Sequence, residues 1–197
     1  MLGAANRDRQ AERREATRLE ILDAAWAVAR EQGLGQITLR EVADRVGMRA
    51  PSLYTHFDSK HAIYDAMFGQ AWSQCLALFE SLEDEVPAGG REVLRFLARE
   101  FFDFAVSDLP RHQLMNLRTI PGFEPSPAAY APAVATLEKT RELFHRHGLT
   151  AQEDLDLYTA VVGGLVDSQH ANDPGGQRWS RLLDRAVDML ADEFRLP

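Results

Sequence analysis

Apolar residues recur at helical spacing along most of this chain. Over residues 17–32, Leu19, Leu22, Ala25, Trp26 and Ala29 fall at i, i+3, i+4 intervals, and Gly33 follows where a helix ends. The next stretch, Thr38 to Phe57, organises the rest. Thr38 and Glu41 have the spacing of a capping box, and Leu39, Val42, Ala43 and Val46 form one apolar stripe behind them. Gly47 closes that helix, and Pro51 sits where only the first turn of a new helix tolerates it. Leu53 and Phe57, four apart, face inward together and leave Ser52, Tyr54, Thr55 and His56 on the other faces. Two short helices joined by a glycine turn, the second with small, hydroxylated and imidazole side chains outward, suit insertion into a DNA major groove.

The pattern continues helical beyond. Asp58 or Ser59 caps a long helix over 59–82, with Ile63, Met67, Phe68, Ala71, Trp72, Cys75, Leu76 and Phe79 inside it. Val86 to Gly90 breaks the chain. Arg91 to Val106 is apolar on more than one side, which predicts a buried helix. A short helix over Arg111 to Leu117 leads into a loop from Thr119 to Pro127, rich in proline but too apolar for a simple linker. Helices are then predicted over Ala128 to His147, from a second capping box at Thr150 and Glu153 to about His170, and over Gln177 to Phe194. Gly163 and Gly164 within the second of these point to close helix contact. Alternating apolar and polar runs are not evident, so the fold expected is all-α.

Charge first argues against a nucleic-acid partner, since the net value is −8. Its distribution changes the picture. Residues 1–60 carry ten Lys/Arg against nine Asp/Glu, a balance of +1, and the remainder carries −9. Local placement decides whether a small domain touches DNA, although +1 alone establishes nothing. Residues 1–16 alternate Arg with Asp and Glu. They read either as a loose, solvated arm or as a basic arm adding phosphate or minor-groove contacts, with the acids weakening the second reading. A single cysteine, Cys75, allows no intramolecular disulfide. The longest apolar run, Ala24 to Ala29, is far short of a membrane span, and no signal-type apolar segment opens the chain. A cytoplasmic location is expected.

Lys60 lies in the first turn of its helix, where a cation opposes the helix dipole by a few tenths of a kcal/mol. A phosphate bound there would remove the conflict; an ordinary exposed lysine is the bland alternative. Enzyme chemistry finds little support. His145 and His147 are two apart on a helix and point to different faces, no HxxxH or HExxH spacing occurs, and GxSxG, P-loop and GxGxxG motifs are absent. No catalytic residue, metal or cofactor is expected. His170, near the end of an apolar helix, reads as a buried or interface histidine or as a ligand contact, and His112 beside Met115 is equally open. Trp72, Phe79, Phe101, Phe104, Met115, Phe123 and Tyr130 read as core. They also come from segments expected to converge, as the wall of a mostly apolar pocket would.

Residues 18–64 resemble the DNA-binding region of the tetracycline-repressor (TetR) family. The resemblance rests on Ile21-Leu22-Asp23-Ala24-Ala25, Gly33, Thr38 to Ala43, Val46-Gly47, Leu53-Tyr54, His56-Phe57 and Ser59-Lys60. It covers about a quarter of the chain; the remainder matches in being helical and of suitable length. The resemblance implies an Ω-like homodimer with a polar arm (1–16), a three-helix helix-turn-helix domain (17–60) and a helical ligand-binding and dimerisation domain (61–197). It implies that Thr38 donates to a phosphate and that Tyr54, His56 and Lys60 contact phosphates. Arg40, Arg49, Ala50, Pro51, Ser52 and Thr55 would meet base edges or neighbouring phosphates. Arg49 stands where the family often has a Ser or Thr cap, and His61 replaces a frequent acid.

The function expected is a repressor that binds a palindromic double-stranded DNA operator as a homodimer through its last two helices and is released by a small, largely apolar effector. A DNA-binding regulator governed by a protein partner is the main alternative; a helical enzyme that borrows the motif is the other.

Overall fold

The computed structural model describes residues 3–197, with side chains from residue 9. Its helices are α1 (Gly3–Gln32), α2 (Leu39–Arg45), α3 (Ala50–Leu53), α4 (Lys60–Ser81), α5 (Gly90–Val106), α6 (Leu109–Asn116), α7 (Pro127–Arg146), α8 (Gln152–Asn172) and α9 (Leu183–Glu193). No strand occurs among the described residues. The fold is all-α, as expected.

Local chemistry accounts for most boundaries. Gly33 and Gly47 adopt φ of 95° and 68°, the left-handed region that L side chains resist, and so end α1 and α2. Thr38 caps α2, its hydroxyl oxygen accepting from Glu41 N at 3.1 Å. Ser59 caps α4 by accepting from Ala62 N, and Asp108 caps α6 by accepting from Arg111 N.

Several expectations need correction. Residues 3–16 are helical rather than a loose arm, because their Ala, Arg, Glu and Gln are good helix formers continuous with α1. The second helix of the opening pair is α-helical only from Ala50 to Leu53; the chain then continues as turns, with His56 N and Phe57 N still donating to Leu53 O. The Thr150–Glu153 box does not form: Ala151 is the N-cap and supplies no side-chain bond. The last helix begins with a 3-10 turn over Ser180–Leu182, and α9 proper starts at Leu183. A Cβ placed on Gly163 or Gly164 would meet nothing within 4 Å, so those glycines face no neighbour within the chain.

Two apolar clusters hold the molecule together. The first gathers Ile21, Ala25, Val28, Val42, Leu53, Phe57, Ile63 and Met67, and continues to Leu114 and Met115 of α6 and Ala129 of α7. The second joins Val93, Leu94 and Phe102 of α5 to Phe144, Val162, Val166, Leu183 and Val187. Phe79 and Phe101 pack against both. The apolar loop before α7 folds back, so that Ile120 and Phe123 cover the first cluster.

Polar contacts fasten the same layers. Asp65 of α4 accepts from both the backbone N and the hydroxyl of Ser126, the N-cap of α7, at 2.6 and 2.8 Å. One turn on, α4 presents Gly69, where a Cβ would lie 3.3 Å from Ala129 Cα; the two helices touch there because Gly69 has no side chain. Arg30 of α1 grips the Asp108 carboxylate at the start of α6 at 2.8 and 2.9 Å. Between the antiparallel α5 and α9, Arg91, Arg95 and Arg99 pair in order with Asp192, Asp188 and Asp184.

Candidate nucleic-acid interface and effector cavity

Leu53 and Phe57 are buried and anchor the short α3 segment on α1 and α4. Their burial forces the intervening side chains outward. Arg49, Pro51, Ser52, Tyr54 and Thr55 are exposed, and so are Thr38 and Arg40 on the neighbouring α2 end. Arg40 and Arg49 have no ion-pair partner among the described residues. Tyr54 keeps 53% of its surface in solvent, unusual for an aromatic residue without a partner to cover it. Ala50 is half-buried and packs against the first cluster, which leaves it only partly available to a groove. The Thr55 hydroxyl donates to Ser52 O at 2.7 Å and retains its lone pairs. Thr38 accepts with its oxygen and keeps its O–H free to donate.

Lys60 behaves differently from the reading that left its cation unopposed. Its Nζ donates to Gly35 O at 2.8 Å and lies 5.4 Å from the centre of the Tyr64 ring. The side chain folds back to the preceding 3-10 turn, which relieves the dipole conflict without a ligand, and burial lowers its pKa. Tyr64 donates to Leu34 O at 2.6 Å in the same turn.

Two arginines of α1 complete this face, and sequence reading passed over them. Arg14 donates to Thr55 O at 3.2 Å, and Arg18 donates to His56 O while its guanidinium lies 4.2 Å over the Phe57 ring. Their i, i+4 spacing on the helix preceding the motif was the available signal. They hold the far end of the recognition segment and add positive charge beside Tyr54 and His56. Arg45, by contrast, is consumed by Glu31 and Glu41.

A partly open apolar cavity of about 120 Å³ lies between α4, α5, α7 and α8, with α6 at one side. Trp72, Phe79 and Phe101 line it together with Asn116, Thr136 and Tyr158. The other expected residues are elsewhere. Met115, Phe123 and Tyr130 line a separate groove beside Phe68. The first turn of α7 stacks Tyr130 on Phe68 at 5.9 Å, and the folded-back loop sets Phe123 5.7 Å from Tyr64. Phe104 lies under the Arg111 guanidinium at 3.7 Å, and His170 stacks on His112. Neither lines the cavity. The Tyr158 hydroxyl donates to Leu94 O at 3.0 Å, and burial raises its pKa. Cys75 is buried and its thiol is pushed up to about 12, so it is not a reactive nucleophile.

Residues 21–67 match the sequence profile described as bacterial regulatory proteins, tetR family. The chain is 46% identical to the HTH-type transcriptional repressor KstR2 of Rhodococcus jostii over 48 residues, 24% of each protein. It is 24% identical to the class A tetracycline repressor protein of Escherichia coli over 180 residues, covering 85% of this chain and 78% of that one. Residues 21–67 carry the DNA-binding region of the TetR family. The chain thus aligns with about a quarter of the length of the Rhodococcus relative. The fold likeness extends further. FadR from Bacillus subtilis in complex with stearoyl-CoA superposes with a TM-score of 0.70 at 17% identity, over 87% of this chain and 96% of that one.

The matched segment runs through α2 and α3 into α4, whose later turns form the cavity wall. Next to the cavity, a polar network joins α6 to α8. Buried His112 meets Asp167 through Nε2 at 2.7 Å, and its Nδ1 lies 3.2 Å from the Asn116 amide. His170 stacks at 5.3 Å, its Nε2 lies 3.2 Å from Ala105 O, and burial lowers its pKa. No group of three His, Cys, Asp or Glu positioned to hold a metal occurs among the described residues. No helix there is long and apolar enough to cross a membrane.

Proposed function

We propose that the chain is an effector-responsive transcriptional repressor that binds a palindromic DNA operator as a homodimer. The observation carrying this reading is the layout of α4. Its first turn abuts the recognition segment, and its later turns supply Trp72 and Phe79 to the apolar cavity. A ligand that reshapes the cavity wall acts on the helix that positions Tyr54, Ser52 and Thr55. Differential affinity of effector for the DNA-incompetent arrangement must weaken operator binding by the same coupling free energy. Stearoyl-CoA in the Bacillus subtilis FadR structure supports the expectation of a small-molecule effector with an apolar portion.

Residues 17–60 act as the DNA-reading unit and 61–197 as the effector and dimer unit. The clamp between Asp65 and Ser126 and the contact of Gly69 with Ala129 make α4 and α7 move together. Thr38, Tyr54 and His56 take phosphates, Arg40, Arg49, Ser52 and Thr55 read sequence, and Lys60 exchanges Gly35 O for a phosphate on binding. Dimerisation uses the outer faces of α8 and α9, where Leu157, Leu182 and Met189 are exposed and Gly164 has no neighbour. Two such faces related by a twofold axis would space the recognition segments for a palindrome.

The test is operator selection from random duplex DNA with the full chain, followed by anisotropy titration and a compound screen for release. Selection yields a palindrome and the screen finds a releasing compound. Ala133→Leu, which fills the cavity, keeps operator affinity and loses release. Failure to enrich any sequence at low salt would overturn the DNA reading, and release undiminished in Ala133→Leu would overturn the cavity as the effector site.

A further inference from the structure

We propose that the cavity takes a neutral, ring-sized apolar molecule carrying one hydrogen-bond acceptor oxygen, which receives the Trp72 Nε1–H. This rests on the effector reading and specifies its ligand. Trp72 lines the cavity, yet its Nε1 is buried with no acceptor among the described residues. A buried donor without an acceptor is costly, and native structures rarely keep one without a reason. The contrast with Trp26 is informative: its Nε1 donates to Gln70 Oε1 at 2.7 Å within the first cluster.

Most other polar groups of the wall are already committed; the solvent-exposed Thr159 hydroxyl is not. Tyr158 donates to Leu94 O, Thr136 to Pro132 O and Thr140 to Thr136 O. Asn116 turns its amide nitrogen to His112. The buried donor left for a ligand is therefore the Trp72 indole, Thr159 being solvent-exposed. No Asp, Glu, Lys, Arg or His lines the cavity, so a carboxylate or an ammonium would be desolvated with no countercharge. The volume of about 120 Å³ is near that of the roughly 150 Å³ apolar cavity that holds benzene in another protein. The aromatic walls from Trp72, Phe79 and Phe101 suit a ring in edge or offset contact.

Three matched probes decide the matter: acetophenone, its C=CH₂ isostere α-methylstyrene, and benzoate. Binding is measured by calorimetry on the full-length protein without DNA, and the indole N–H resonances are followed by NMR. Acetophenone binds about tenfold more tightly than α-methylstyrene, the difference expected of one hydrogen bond to a buried donor, and benzoate does not bind. The Trp72 N–H resonance moves downfield with acetophenone only. In Trp72→Phe the two neutral probes bind alike; if that variant fails to fold, the wild-type ranking and the resonance still decide. Equal binding of the two neutral probes to wild type, tighter binding of benzoate, or no binding by any of the three overturns the proposal. Operator release is assayed separately. Acetophenone that binds without releasing DNA counts against the effector reading and not the ligand class; release by an anionic compound does the reverse.

Discussion

At the recognition end, Arg40 and Arg49 face solvent without an ion-pair partner among the described residues, while Arg14 and Arg18 spend their guanidiniums on the carbonyls of Thr55 and His56. Across α5 and α9, Arg91, Arg95 and Arg99 each meet an aspartate. One residue type therefore does two jobs. Where guanidiniums have no carboxylate partner, their charge remains for phosphate; where carboxylates stand opposite, the same charge only fastens helices. The net −8 of the chain says nothing about this, because much of the acid in the C-terminal part lies away from the recognition face or is already paired. The difference also bears on how such a protein would bind DNA: through a few placed contacts on a rigid segment rather than a broad basic surface.

The comparison can be broken or sharpened experimentally. The largest effect is expected on α9, where two neighbouring positions have opposite environments. Val187 is fully buried against α5, whereas Met189 is 66% exposed. Val187→Asp places a charge in the second cluster and should cost at least about 3 kcal/mol, read by chemical denaturation. Met189→Asp should leave the fold intact and shift the protein towards monomer in light scattering if the outer face of α9 is the dimer surface. Val187 cannot serve that surface, since the inward turn of α9 carries it into the core.

Next in size, Arg49→Ala should weaken operator binding by about tenfold and lower the salt slope by about one; binding unchanged in both affinity and slope would remove it from the interface. Lys60→Ala tests whether the contact with Gly35 O is exchanged for phosphate. A reduced slope supports exchange, and equal slopes would leave Lys60 as a purely structural tie. Arg99→Ala, on the opposite side of the comparison, should cost less than about 1 kcal/mol in stability, because the pair is half-exposed, and leave operator affinity untouched. A loss of DNA binding in that variant at full foldedness would contradict the separation of roles.

The smallest effect is a pH dependence. Burial lowers the pKa of His170 below its ordinary 6.5, against the raising influences of Ala105 O, Asp167 and Asp108 and with His112 also lowering it. The folded state then binds fewer protons than the unfolded state near pH 6. Stability is present in full above 6.5 and declines as the pH falls through the lowered value. A thermal melt series from pH 7.5 to 5.5 should show this decline, shallower in His170→Gln; an equal decline in both would assign it to other groups.

The recognition segment was largely legible from order along the chain. Caps, glycine turns and the i, i+4 pair of Leu53 and Phe57 are local devices, and their consequences appear within one or two helical turns of their cause. The α-helical fold follows from the same short-range periodicity. What lies across the molecule needed tertiary structure. Arg91, Arg95 and Arg99, and Asp184, Asp188 and Asp192, show i, i+4 spacing in the sequence, but only the antiparallel packing of α5 on α9 pairs them. Seven aromatic and sulfur side chains were expected to converge; the fold brings Trp72, Phe79 and Phe101 to the cavity, while the folded-back loop carries Phe123, and the first turn of α7 carries Tyr130, to a separate groove. Lys60 found a carbonyl 25 residues upstream. Spacing determines which face a side chain takes on its own helix. Its partner depends on how separate helices dock, and that is set by the summed burial of both apolar clusters rather than by any one segment.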